Sequence, residues 1–302
     1  MRIVITGGSG LIGRAVAGDL GEAGYEVVLL TRNTSKVGPL PPNTRAVQWD
    51  GQTAEGWGKL LDEDTGILHL AGDPIAEGRW TEEKKRRIRD SRVQTGQAVL
   101  AAIQQAKSRP KLLLQGSAVG YYGDGGDQVL TESSPPGDDF LARVCVEWEA
   151  STAEVSGLGV RRPVLRTGIV LSMEGGALPK MALPFRLMAG GPMGGGRQWI
   201  PWIHIADEVG AIRFLIEHAE ADGPFNLSAP EPVTNRDFSH ALGRALSRPS
   251  FAPAPGFALR FLLGEMADAL LHGQRAVPRK LLDLGYAFRY PEVSTALRNL
   301  LG

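Results

Sequence analysis

The sequence has little cysteine, no excess of charge of either sign and no long apolar run. Its single cysteine, Cys145, excludes an internal disulfide and a zinc site built on several thiolates. Lysine plus arginine and aspartate plus glutamate both number 33, so no charge excess points to nucleic acid or to anionic lipid. No apolar run approaches the roughly 20 residues that a membrane-spanning helix needs. We therefore expect neither nucleic acid nor a membrane as a partner.

The start of the chain leaves no room for a signal peptide, because an apolar strand begins within its first few residues. Together with the scarcity of cysteine, this predicts a soluble, cytoplasmic protein. The 302 residues are 43% hydrophobic and 22% charged, which is enough for one large domain or two ordinary ones with a sizeable core.

Short apolar segments alternate with helix-length segments in the first half of the chain. The predicted strands are residues 3–6, 26–30, 45–49, 67–70, 111–115 and 164–171, and the predicted helices are 11–22, 81–105 and 140–154. Apolar strands that alternate with helices are typical of a parallel sheet covered on both faces. The sequence therefore predicts an α/β fold with a doubly wound parallel (Rossmann) sheet.

After residue 171 the chain becomes rich in glycine and proline, and from about residue 230 it is mainly helical. Strand signals at 202–205 and 225–228 indicate that the chain returns to the sheet after a first excursion. We predict a dinucleotide-binding domain of residues 1–171, completed by about 200–228. The smaller, mainly helical C-terminal lobe would comprise 172–199 and 229–302.

A glycine-rich turn follows the first strand and opens the first helix. Residues 6–13 read TGGSGLIG, which matches the dinucleotide pattern Gly-x-Gly-x-x-Gly. Glycines there permit a tight turn and a close approach of backbone N–H groups to a diphosphate, and the helix N-terminus adds partial positive charge. Gly8, Gly10 and Gly13 are the three glycines that satisfy this pattern.

Arg32 follows the second strand, with Lys36 nearby, at the place where an NAD enzyme has an acidic residue that binds the ribose 2′-hydroxyl. A guanidinium can hold a 2′-phosphate with forked donors, whereas a carboxylate would repel it. We therefore predict NADP(H) rather than NAD(H). The alternative is an ordinary solvated arginine in a loop.

Together these motifs resemble the extended short-chain dehydrogenase/reductase superfamily, in its NAD-dependent epimerase/dehydratase group. The similarity lies in the glycine turn, in Leu70-Ala71-Gly72, in the helix segment that starts at Arg92, and in the segment PWIHIAD at 201–207. More narrowly, SAVGYYG at 117–123, VCVEWE at 144–149 and QRAVP at 274–278 are similar to an atypical epimerase-like subfamily with its own C-terminal domain of unknown function.

The resemblance implies an NADP-binding fold of reductase or epimerase ancestry, acting on an unidentified small-molecule substrate. It suggests a homodimer. By position it also implies cofactor contacts from Gly7, Gly10, Leu11, Ile12 and Gly13 in the glycine turn, and from Leu70, Ala71, Gly72, Arg92 and Val170. It implies no metal ligand.

The proton-transfer pair of ordinary short-chain dehydrogenases is missing. Those enzymes use a tyrosine whose pKa is lowered by a lysine four residues later. No tyrosine of this chain has a lysine at that spacing, and Phe140 and Val144 stand where the pair would lie. The candidates left for the substrate oxygen are Ser117 at the end of the fifth strand and Tyr121 or Tyr122 after it. The alternative is that the two tyrosines pack their loop.

Two functions remain open from the sequence. The first is an NADP(H)-dependent oxidoreductase or epimerase-like enzyme on a small carbonyl or sugar-related substrate. The second is a non-turnover NADP(H)-binding sensor or regulatory protein, which the missing tyrosine–lysine pair favours. A substrate panel followed by coenzyme absorbance would separate them.

Overall fold

A seven-stranded parallel sheet forms the centre of the molecule, in the strand order β11-β7-β5-β4-β1-β2-β3. The computed structural model describes residues 1–302, apart from the side chain of Lys36. The strands are β1 Arg2–Thr6, β2 Glu26–Thr31, β3 Thr44–Gln48, β4 Thr65–His69, β5 Leu112–Ala118, β6 Val129–Leu130, β7 Pro163–Thr167, β8 Ile169–Leu171, β9 Trp199–Ile200, β10 Trp202–His204, β11 Gly223–Leu227, β12 Val233–Thr234 and β13 Arg275–Ala276. The helices are α1 Leu11–Glu22, α2 Glu82–Gln105, α3 Phe140–Ala150, α4 Leu178–Arg186, α5 Ile205–Glu217, α6 Asn235–Ala245, α7 Gly256–Leu263, α8 Asp268–Leu271, α9 Arg279–Asp283 and α10 Val293–Leu301.

Both faces of the sheet are buried, as the apolar strands predict. On β1, Ile3 and Ile5 belong to the core that contains α1 and α5, whereas Val4 belongs to the core that contains α2. Successive side chains of a strand point to opposite faces, so an uninterrupted apolar strand serves two cores at once. This confirms the doubly wound parallel sheet.

The strand order changes direction at β1, which pairs with β2 on one side and with β4 on the other. In an open α/β sheet, the crevice at the carboxyl ends of the strands beside such a switch point is where ligands bind. The turns that follow β1 and β4 therefore form the floor of this crevice.

The predicted single strand at 164–171 was wrong, because it breaks at Gly168. A Cβ at this position would lie 2.3 Å from the carbonyl oxygen of Pro201, so only glycine lets the two backbones approach. Before the break β7 belongs to the main sheet, and after it β8 pairs with β10 in a separate two-stranded sheet. Of the two strands predicted to return to the sheet, β11 joins it beside β7, and β10 does not.

The C-terminal region is mainly helical, as predicted, and has its own apolar core formed largely by α4, α6 and α10. The helix α7 ends at Gly264, whose φ is +63°. The strand β13 pairs with β6, which ties this region to the chain just after β5. The boundary between the predicted domain and lobe stays a prediction. No helix in the described part of the chain is both long and apolar enough to cross a membrane.

Candidate functional site

The glycine turn after β1 is shaped by close contacts between backbones. Gly7 has φ +69°, and a Cβ there would lie 2.8 Å from the carbonyl carbon of Leu70 and 2.9 Å from the amide nitrogen of Ala71. A Cβ at Gly13 would lie 2.7 Å from the carbonyl oxygen of Gly7. The turn therefore rests directly on the 70–71 segment, and neither glycine can be replaced without moving main chain.

The first turn of α1 opens toward the same place. Gly10 precedes the helix and offers no side-chain cap, while Leu11 and Ile12 begin it and are half-buried. The unpaired N–H groups of a helix start favour an anion. The gap that glycine leaves and the uncapped helix start fit the diphosphate of a dinucleotide, which these backbone groups would hold.

Arg32 is the residue predicted to bind the 2′-phosphate of the nucleotide. It follows the end of β2, its side chain is exposed, and among the described side chains it forms no ion pair or hydrogen bond. A guanidinium in that position is available to an anionic ligand.

Gly72 and Arg92 lie against each other on the other side of the crevice. A Cβ at Gly72 would be 2.8 Å from Cζ of Arg92, and the Arg92 guanidinium donates to the carbonyl oxygens of Asp73 (3.1 Å) and Ile88 (2.8 Å). The guanidinium carbon also lies 5.1 Å from the ring centre of Trp148. Burial lowers the pKa of Arg92.

Val170 reaches the start of α1 through a glycine loop. A Cβ at Gly176 would lie 3.1 Å from a methyl of Leu11 and 3.6 Å from the carbonyl oxygen of Val170. The predicted contacts Leu11 and Val170 therefore both lie next to the loop at Gly176.

A fully buried histidine fixes the 70–71 segment in place. Burial lowers the pKa of His69 to about 3, with a smaller effect from the charge of Arg92, so the imidazole is neutral. Trp148 Nε1 donates to His69 Nε2 (3.2 Å), which assigns the ring proton to Nδ1, 2.7 Å from Thr6 Oγ1. Thr6 Oγ1 in turn accepts from the amide of Leu70 (3.1 Å).

Ser117 lies at the end of β5, and its hydroxyl meets a carboxylate rather than a tyrosine. Ser117 Oγ lies 2.6 Å from Glu149 Oε1. Arg166 on β7 holds the same carboxylate with two bonds, from Nε to Oε1 (2.9 Å) and from Nη2 to Oε2 (3.0 Å). Burial acts to lower the pKa of Arg166, but the bonds and charge of Glu149 outweigh it, so this pKa is raised.

The two candidate tyrosines differ in where they present their hydroxyl groups. Tyr122 is buried, donates to Asn226 Oδ1 (2.7 Å) and accepts from Arg166 Nη1 (3.1 Å). Burial raises its pKa to about 12. The structure thus places the Tyr122 hydroxyl in an internal network, which argues against contact with a substrate. The half-buried ring of Tyr121 lies 3.5 Å from the guanidinium carbon of Arg166.

Cys145 lies on α3, close to Ser117 and within reach of the charge of Arg92. Burial raises the pKa of its thiol to about 12, and the charge of Glu149 adds to this. A buried, protonated thiol is a poor nucleophile.

Sequence reasoning missed Glu149 and Arg166 as functional candidates, together with the buried His69. A signal for Glu149 was present, because it follows Cys145 by four residues and so shares the buried face of α3. A carboxylate on a helix face that is otherwise buried needs a partner, and Arg166 on the neighbouring strand is that partner.

The fold and the site define an NAD(P)-binding protein of the Rossmann type. Residues 3–228 match the model of the NAD dependent epimerase/dehydratase family, and residues 254–300 match a domain of unknown function, DUF1731. The chain therefore belongs to the NAD dependent epimerase/dehydratase family.

Two curated relatives and one crystal structure are similar over the whole chain. The epimerase family protein YfhF of Bacillus subtilis is 39% identical, over 100% of this chain and 98% of that protein. The chloroplastic SDR39U1 homolog of Arabidopsis thaliana is also 39% identical, over 100% of this chain and 87% of that protein. The crystal structure of human epimerase family protein SDR39U1 with NADPH superposes with a TM-score of 0.89 at 34% identity, over 100% of this chain and 99% of that one.

Proposed function

We propose that the protein is an NADP(H)-dependent oxidoreductase or epimerase-like enzyme for a small carbonyl, alcohol or sugar-related substrate. The observation that carries this proposal is the position of Ser117. It is the last residue but one of β5. The strand β5 pairs with β4, and β4 pairs with β1, which leads into the glycine turn. Two strand spacings place Ser117 about 10 Å across the sheet from that turn. The Ser117 hydroxyl and the glycine turn thus lie at the same edge of the sheet, which supports a substrate site beside a bound coenzyme.

Arg32 supports the choice of NADP(H). Its exposed guanidinium follows β2, where it would face a 2′-phosphate, and the crystal structure of the human relative is one with NADPH. Gly7, Gly10, Leu11, Ile12 and Gly13 would hold the diphosphate through their backbone.

The site residues supply orientation and proton handling in the proposed reaction. The bound coenzyme would supply hydride transfer at its nicotinamide ring. Leu70, Ala71, Gly72, Arg92 and Val170 would position that half of it. Ser117 would contact the substrate oxygen, with Tyr121 at the side of the pocket, while Tyr122 would hold Arg166 in place.

A non-turnover sensor is the second candidate, and the residues of α3 favour it. Phe140 and Val144, at the positions of the family's tyrosine and lysine, carry no ionisable group. Phe140 instead packs edge-on against Trp80 at 5.4 Å between ring centres.

Titration of the purified protein with NADPH and NADH tests the coenzyme assignment. We expect NADPH to bind more tightly, and Arg32→Ala to lose about tenfold in NADPH affinity with little change for NADH, since a charge-assisted bond is worth about 1.5–3 kcal/mol. Arg87→Ala, which removes an exposed arginine of α2, is the charge-matched control and should bind as the wild type does. Equal affinities for the two coenzymes in the wild type would contradict the assignment.

A panel of aldehydes and ketones with NADPH separates enzyme from sensor. Turnover that Ser117→Ala reduces at least a hundredfold supports the enzyme, in line with the usual contribution of a general acid or base. Tight NADPH binding without turnover on any member supports the sensor.

A further inference from the structure

The Ser117 hydroxyl has one hydrogen, and the acceptor nearest to its oxygen determines where that hydrogen points. Glu149 Oε1 is 2.6 Å from Ser117 Oγ, and it also accepts from Nε of Arg166. An ionised carboxylate can only accept hydrogen bonds, so Ser117 must be the donor of this one. The bidentate guanidinium keeps the carboxylate fixed and charge-balanced. Ser117 therefore offers a ligand lone pairs and no hydrogen.

This polarity decides which form of a substrate Ser117 can bind. A carbonyl oxygen has no hydrogen to give, whereas an alcohol can donate its hydroxyl hydrogen to Ser117 Oγ. We infer that Glu149, acting through Ser117, accepts the proton of an alcohol substrate and so replaces the missing tyrosine–lysine pair. This inference rests on the proposed function.

Oxidation of an alcohol by this route needs only one further reactant, a nicotinamide coenzyme. The substrate O–H bond breaks and its proton passes to Ser117 Oγ, while the Ser117 hydrogen passes to Glu149 Oε1. The carbinol C–H bond would break with its electron pair, and the hydrogen would leave as hydride to a bound oxidised nicotinamide coenzyme. The carbon–oxygen single bond would then become a carbonyl. The carboxylic acid of Glu149 then returns its proton to water, because 15% of that side chain is exposed. Reduction of a carbonyl is the same sequence reversed.

Positively charged groups surround Glu149. Arg166 lies against its two oxygens, and Arg162 donates to its backbone carbonyl oxygen. On its own helix the nearest titratable group is Cys145, whose raised pKa keeps it neutral. The charge of Arg92, from α2, acts on Cys145. Glu149 is therefore a positioning and proton-holding residue, and Ser117 is the group that touches the substrate.

The test needs two variants and a control from the same helix. Glu149→Gln keeps the shape but cannot hold the proton, and Ser117→Ala breaks the relay. Glu147→Gln is the matched control, since Glu147 is on the exposed face of α3 with 49% of its side chain accessible. Wild type and variants are assayed with NADP⁺ and a panel of secondary alcohols from pH 6 to 9 (a range chosen to bracket neutrality), and NADP⁺ affinity is measured separately.

We expect Glu149→Gln to lower kcat about 10²–10³-fold, to flatten the pH dependence of kcat and to leave KM and NADP⁺ affinity within about twofold. Glu147→Gln should behave as the wild type does. If the wild type does not bind NADP⁺, the proposed function itself is overturned. A Glu149→Gln variant with the wild-type kcat and pH profile would overturn only the relay. NADP⁺ binding without oxidation of any alcohol would overturn the relay and favour the sensor.

A second readout needs neither coenzyme nor turnover. In coenzyme-free protein labelled with ¹³C at the glutamate carboxyl carbons, the Glu149 resonance is the one that Glu149→Gln removes. Ser117→Ala should move this resonance, because it removes a hydrogen bond to the carboxylate, while Glu147→Gln should leave it in place. An unmoved resonance in Ser117→Ala would show that Ser117 does not donate to Glu149, and the inference would fail.

Discussion

Gly72 has no side chain where the guanidinium of Arg92 lies, and a Cβ there would be 2.8 Å from Arg92 Cζ. Arg92 is held in that place by the carbonyl oxygens of Asp73 and Ile88 and by the face of Trp148. The small residue on the loop after β4 and the arginine on α2 thus form one unit at the crevice.

Gly72→Ala should displace Arg92 and weaken coenzyme binding. The guanidinium would lose its hydrogen bonds or press on the new methyl group, so we expect a several-fold loss of NADPH affinity and a loss of about 1 kcal/mol in unfolding free energy. NADPH titration and urea unfolding measure the two effects. Gly157→Ala, at a glycine with no atom within 4 Å of the added Cβ, is the control. An unchanged NADPH affinity would show that Arg92 does not contribute to the site.

Gly13→Ala should damage the glycine turn itself. The added Cβ would lie 2.7 Å from the carbonyl oxygen of Gly7 and from Cα of Gly8, so main chain must move. We expect a loss of about 1–3 kcal/mol in unfolding free energy and at least a tenfold loss in NADPH affinity. Gly18→Ala, on the same helix with open space around it, should instead raise stability by about 0.5–1 kcal/mol. If both variants bind NADPH equally well, the turn does not hold the coenzyme.

The backbone part of the site could be predicted from the sequence. The glycine spacing and the helix over 11–22 depend on local geometry, and α1 has those bounds in the structure. The parallel sheet could be predicted for the same reason. In folds of this class, apolar strands and amphipathic helices bury their apolar faces whatever the order of the strands.

The side-chain chemistry depends on long-range contacts that sequence spacing does not encode. Glu149 and Ser117 are 32 residues apart, and Arg166 is a further 17 residues along the chain from Glu149. The break at Gly168 escaped prediction similarly, because the backbone that requires a glycine there belongs to Pro201. The hydroxyl of Tyr122 was a candidate until its partner Asn226, 104 residues away, was known.

Glu208→Gln should change how stability depends on pH. Burial raises the pKa of Glu208 to about 8, against an ordinary value of 4.5, although its bond from Thr167 acts to lower it. The folded protein therefore favours the protonated acid, and stability present below pH 4.5 is lost as the pH rises toward 8, by up to about 1.4 kcal/mol per pH unit.

Glutamine mimics the neutral acid, so the gain of the Glu208→Gln variant over the wild type should grow by about 1–3 kcal/mol between pH 5 and pH 8. Urea unfolding at both pH values measures this difference in unfolding free energy. The contribution of the buried His69 to the pH dependence is the same in both proteins, so it cancels. Glu220→Gln, at an exposed residue, should show no such trend. A constant difference between variant and wild type would mean that Glu208 is ionised throughout.

Cys145 should be inert in the folded protein although it lies beside Ser117. With its pKa raised by burial to about 12, roughly one thiol in 10⁴ is ionised at pH 8, and the side chain is 5% exposed. Iodoacetamide should therefore label native protein at least a thousandfold more slowly than urea-unfolded protein, as followed by intact mass. Val146→Cys places a second thiol on the exposed face of α3 and should take up one equivalent in the native state and two after unfolding. Fast labelling of native wild type would mean that the site opens to solvent around Cys145.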